Sequence, residues 1–148
     1  MNPIQQRIEA DVAAHGWHVC KVAETGDNRP AFAYTIGLFV AFGHPEVVIL
    51  GLGLDDMQWI LNRLGEQVRG GRAFAAHDVV GGLIEGRSCK LVAVDPKWYG
   101  EFLGQALDYY HSPEFVTLQC LWPDRAGRFP DDTDFDASLR ARQPLLSA

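Results

Sequence analysis

The apolar positions recur with two different periods along the chain, and each change of period marks a new element. Ile4, Ile8 and Val12 share one face of a helix predicted over residues 2–15. Asn2 is placed to cap its free amides, Pro3 suits the first helical position, Gln5 stands where a capping box needs it, and Gly16 ends the helix. Residues 17–22 read as a strand, the polar run 24–28 as a turn, and residues 31–38 as a second strand. In that second strand Phe32, Tyr34, Ile36 and Leu38 share one face, and the small residues Ala31, Ala33, Thr35 and Gly37 share the other. A face so low in bulk predicts close packing by a helix, a second sheet or a ligand.

Residues 47–50 are apolar on both faces, as an interior strand requires. Leu54, Met57, Leu61, Leu64 and Val68 repeat at three-four spacing and predict a helix over 54–69, with Asp55 and Asp56 at its positive end and Gly70-Gly71 as its stop. Residues 73–80 and 87–95 read as a strand pair joined through Gly81, Gly82 and Gly86. Asp95-Pro96 then opens a helix to about His111, with Tyr99, Phe102, Leu103, Ala106, Leu107 and Tyr110 facing inward. Residues 114–122 form a last strand, and the segment from Pro123 onward is expected to lie extended over the surface. This order mixes hairpin neighbours with helical crossovers. It predicts an α+β fold: one domain over 1–148, with a mixed, largely antiparallel sheet and about three packed helices.

Composition narrows the classes. A chain of 148 residues fits one domain, and 47% hydrophobic with 22% charged residues is an ordinary globular balance. The formal net charge of -6, with Lys and Arg dispersed, argues against nucleic acid, whose binding needs a clustered basic face. Cys20, Cys89 and Cys120 are odd in number and widely spaced, so they read as buried free thiols of a reducing compartment rather than as a disulfide framework or a zinc site. The N-terminal sequence has no secretory pattern and no apolar run reaches the ~20 residues of a membrane span. The expectation is a cytoplasmic protein without membrane contact.

Four stretches together carry a family resemblance: Gly16-Trp17-His18-Val19, Tyr34-Thr35-Ile36-Gly37-Leu38, Gly43-His44-Pro45-Glu46, and Trp122-Pro123-Asp124 through Gly127-Arg128-Phe129-Pro130, with Gln143-Pro144 beyond them. The chain resembles the bacterial family called domain of unknown function 4262 over almost its whole length. It departs at Asp131, where the family more often carries an aromatic residue. The resemblance implies a stand-alone bacterial domain and implies no reaction.

The candidate chemistry lies in the same stretches. His15, His18, His44 and Glu46 are residue types that hold zinc or iron when three converge. Their spacing gives little help: His15 ends a helix, His18 lies on a strand, and His44 and Glu46 share a face only if the strand begins that early. No metal-ligand set is assigned. Thr35 and Gly37 could offer a hydroxyl and close backbone approach to a phosphate, as in flavin-reductase-like split barrels, whose strand-helix-strand order residues 31–80 loosely share. Equally, they could simply pack under a helix. Trp122-Pro123-Asp124 is similar to a tyrosine phosphatase acid loop, but no cysteine is followed at the required spacing by arginine, so that chemistry is rejected. Gly51 and Gly53 lead into a helix as a dinucleotide loop would, yet Asp56 stands where the third glycine belongs.

Two readings follow. One is a module that binds a small molecule, a partner protein or a second copy of itself as a homodimer. The other is a small enzyme using flavin or a divalent metal in a cleft near residues 34–46. Both draw on one set of ligand-binding candidates: His18, Tyr34, Thr35, Gly37, His44, Glu46, Trp122 and Asp124. Both expect segments 34–37 and 44–46 to meet at a common mouth.

Overall fold

A six-stranded sheet divides the molecule into two apolar layers. The computed structural model describes residues 2–27 and 29–147; Asn28, part of the expected turn, lies outside them. The strands are β1 (His18–Val22), β2 (Phe32–Ile36), β3 (Glu46–Leu50), β4 (Val79–Ile84), β5 (Arg87–Ala93) and β6 (Thr117–Leu121). Their spatial order is β1-β2-β3-β6-β5-β4. Among the described residues the central β3–β6 pair is parallel and the other four pairings are antiparallel. The α+β class with a mixed, mostly antiparallel sheet therefore holds, and β1 and β4 are its two edges.

The helices are α1 (Pro3–His15), α2 (Leu38–Phe42), α3 (Leu54–Arg69), α4 (Tyr99–Phe102) and α5 (Gly104–Tyr110). α3 covers one face of the sheet, seating Met57, Leu61 and Leu64 against Ala33, Val47 and Ile49. The small residues of β2 thus lie under a helix, one of the expected occupants. On the opposite face Ile8 of α1 and Tyr99, Phe102 and Ala106 of α4–α5 pack on Phe32, Tyr34 and Val48. Each fully buried side chain of this kind contributes about 1.5–3 kcal/mol. The Asn2 side chain caps α1 by accepting from the Gln5 amide at 2.8 Å, as its sequence indicates.

Several boundaries differ from the sequence expectation. The second strand ends at Ile36, and Leu38 opens α2 instead of continuing the alternation. Residues 73–78 are not strand: the Asp78 carboxylate accepts the Ala75 amide at 2.9 Å, and His77 takes a positive φ of 75°, closing a turn ahead of β4. Gly81 and Gly82 belong to β4 itself, at an irregularity in its pairing with β5. The helix expected from Pro96 to His111 is broken at Leu103, because the Tyr34 hydroxyl accepts the Gln105 amide at 3.1 Å and so starts α5 as a separate helix. The C-terminal segment crosses the sheet with Phe135, Gln143 and Leu146 buried along its course.

Candidate functional site

Segments 34–37 and 44–46 meet around the carboxylate of Glu46, but in the sealed interior and not at the expected open mouth, because Thr35 and Glu46 are buried and bonded to each other. β3 carries Glu46 into the interior, where it is 1% exposed. Its oxygens accept from Thr35 Oγ1 at 2.8 Å, from the Gly37 amide at 2.9 Å and from the Leu38 and Phe39 amides at 3.2 Å each. The Tyr110 hydroxyl of α5 donates a fifth, short bond. Glu46 is thus the N-terminal cap of α2, supplied from eight residues beyond the helix start. Thr35 Oγ1 also accepts the Val47 amide at 2.9 Å, tying β2 to β3. Burial pushes the Glu46 carboxyl above its ordinary range, while the Tyr110, Gly37 and Thr35 donors act in the opposite direction. Among the described residues, no cationic side chain pairs with it.

His44 is adjacent in sequence but turned elsewhere. Its Nδ1 lies 2.8 Å from the Pro45 carbonyl, which can only accept, and its Nε2 receives the Phe74 amide at 2.9 Å. Those two bonds fix the neutral tautomer protonated on Nδ1 and leave neither nitrogen free. Trp122 and Asp124 sit farther along the sheet. Trp122 Nε1 donates to the Leu50 carbonyl at 2.7 Å, and the buried Asp124 carboxylate receives the Ala126, Arg128 and Asp136 amides, shaping the loop after β6. The structure therefore joins Thr35, Gly37 and Glu46, with Tyr110, and separates His18, His44, Trp122 and Asp124 from them. Among the described residues, no group of three His, Cys, Asp or Glu side chains is placed to hold a metal ion.

The open surface lies at the sheet edge. A cleft of about 800 Å³ runs along β1, and all of residues 17–22 line it. Ile4, Arg7, Asp11 and His15 form one wall, a single stripe of α1. Gln58, Asn62, Glu66 and Arg69 form the other, a single stripe of α3. His18 lines the cleft with Nδ1 held 2.6 Å from Asp11 Oδ2. Tyr34 lines it too, beside Cys20, whose thiol burial pushes up to about 11, so that it stays protonated at neutral pH. Trp17 anchors the α3 wall: its Nε1 donates to Asn62 Oδ1 at 2.9 Å, and its indole occupies the space a Cβ on Gly65 would need, 2.5 Å from the nearest ring atom.

A second depression of similar volume lies beside Gly51, Gly53 and Arg142, so volume alone does not single out a site. There the arginines are engaged by the chain itself. Arg142 donates to the Gly51 carbonyl at 2.8 Å, and Arg29 donates to the Glu101 carbonyl at 2.9 Å.

These features define a single-domain α+β protein with a closed polar clasp in its interior and an open sheet edge flanked by two helices. The family model described as "Domain of unknown function (DUF4262)" matches residues 11–136, and the chain belongs to that family. No curated protein and no solved structure matches it. No helix among the described residues is long and apolar enough to cross a membrane.

Of the cleft's lining, only His18 and Tyr34 belong to the eight ligand-binding candidates named from sequence. Arg7, Asp11, Lys21, Asn62 and Arg69 are new. The signal that could have found them is the polar spacing i, i+4, i+8, i+11 on α3, immediately beside its apolar stripe.

Proposed function

We infer that the chain is a binding module and that its guest lies in the cleft along β1. The observation that carries this reading is the coincidence of an unpaired strand edge with the floor of a cleft walled by one polar stripe from each of two helices. Pockets that bind guests are concave and present a few convergent polar groups, and an open edge adds a row of backbone donors and acceptors. In this reading His18 faces the guest, while the buried Tyr34 lies beneath the cleft and, with Thr35, Gly37, His44, Glu46, Trp122 and Asp124, holds the frame. A flavin or metal enzyme built on residues 34–46 gains no support from the geometry, because Thr35 and Glu46 are sealed and their polar atoms are engaged within the chain.

A fragment screen followed by amide spectra of the ¹⁵N-labelled full chain tests the reading. Bound fragments are expected to shift the cross-peaks of residues 17–22 and the Trp17 indole. Fragments that gather beside Gly51 and Arg142, or that show no common site, would contradict it.

A further inference from the structure

The cleft along β1 carries charge that the chain itself does not neutralise. Its carboxylates have partners: Asp11 is held by His18 at 2.6 Å, and Glu66 lies 3.7 Å from Arg63. Its cations are not matched to carboxylates. Lys21 Nζ donates to the neutral Gln58 at 2.8 Å. Arg69 lies 5.3 Å from the Trp17 ring centroid and reaches the His15 carbonyl at 3.4 Å. Arg7 is exposed and, among the described residues, has no hydrogen-bond or ion-pair partner. In a chain of net charge -6, three cations without carboxylate partners converge on one strand edge.

Resting on the reading of this cleft as the binding site, we propose that its guest is an extended peptide segment bearing carboxylate side chains, added to the sheet as a strand alongside β1. The backbone supplies the first half of the recognition. β1 pairs with β2 alone, so on its outer side alternate residues present N–H and C=O groups to a new strand. The walls supply the second half. Successive side chains of an added strand point to opposite faces, toward α1 with Arg7 and toward α3 with Arg69. β1 itself turns Lys21 toward the α3 side, where Gln58 receives it. Five or six residues of guest would match the length of β1.

A second copy of this chain fits less well. Edge-to-edge pairing of two β1 strands would set Arg7, Lys21 and Arg69 against their own counterparts, and it would crowd the α1 and α3 walls of each copy against those of the other. Like charges so placed oppose association.

The test uses the ¹⁵N-labelled full chain and an acetylated, amidated hexapeptide of alternating glutamate and valine. Two control peptides accompany it: one with lysine for glutamate, and one with alternate backbone amides N-methylated, which keeps the charge but removes strand pairing. The acidic peptide is expected to bind with slowed amide exchange in residues 18–22, and both controls to bind at least about tenfold more weakly. Arg7→Glu and Lys21→Glu are expected to weaken the acidic peptide by about tenfold each while leaving the thermal midpoint unchanged. Absence of binding, equal binding of either control, or concentration-dependent self-association that protects β1 would each overturn the proposal. Fragment shifts at residues 17–22 combined with no peptide binding would reject the strand and retain the cleft.

Discussion

Glu46→Ala lowers the free energy of unfolding by about 3–5 kcal/mol, the range expected when a buried, multiply bonded acceptor is deleted. Five donors lose an acceptor at once: Thr35 Oγ1, the amides of Gly37, Leu38 and Phe39, and the Tyr110 hydroxyl, with only the Gly37 amide keeping a second acceptor, the Tyr110 oxygen at 3.2 Å. None of the three backbone amides has another acceptor within its own short helix, so α2 loses its start. Urea denaturation followed by tryptophan fluorescence reads the change, and a loss below about 1 kcal/mol would show that the clasp is not structural. The pH dependence has a definite sign. Burial raises the carboxyl's folded-state pKa above the ordinary 4.5. The folded chain therefore holds its proton more tightly than the unfolded one. This group's contribution is fully present below that value and declines as pH rises through the raised pKa. Glu46→Gln, with no proton to lose in that range, lacks this decline.

Gly37→Ala is the second large effect. Gly37 joins β2 to α2 at a φ of 122°, a conformation that side chains disfavour. A Cβ there would also lie 2.7 Å from the Gly16 carbonyl oxygen and 2.8 Å from Val12 Cγ2. The first contact is with backbone at the end of α1 and cannot be relieved by a rotamer change. The expected loss is about 3 kcal/mol or more, with aggregation on expression as the practical sign. An alanine variant as stable as the parent would mean that α1 and α2 are not fixed against each other in this way. The close approach that Gly37 permits is thus to the chain's own backbone, where the sequence alone left room for a ligand.

The parts of the fold legible in the sequence are those set by local periodicity. α3 occupies the residues its apolar stripe predicts, and α1 begins at its own cap, because amphipathic spacing and capping are decided within a few residues. α2 was not legible, since its cap comes from Glu46 after the helix has ended; alternation through Leu38 looked like continued strand. The break at Leu103 has a similar origin in Tyr34, 71 positions from the amide it accepts. His44 resembled a site residue because sequence shows an imidazole without showing that both nitrogens are already bonded. The cleft was least legible of all. It exists only where α1, β1 and α3 converge, and its arginines and lysine are unremarkable on any one of them. The motifs that carry the family resemblance, by contrast, include the residues of the interior clasp. A family signature can therefore report how a fold is held rather than what it binds.

The division of labour between clasp and cleft is tested most directly by a substitution scan of the full chain, read as steady-state abundance in cells. Changes at Thr35, Gly37, His44 and Glu46 are predicted to deplete the protein, whereas changes at Arg7, Lys21, Gln58 and Glu66 leave its abundance at the parental level. Free substitution at Glu46 and Thr35, alongside depletion at the cleft positions, would reverse those assignments and contradict the account.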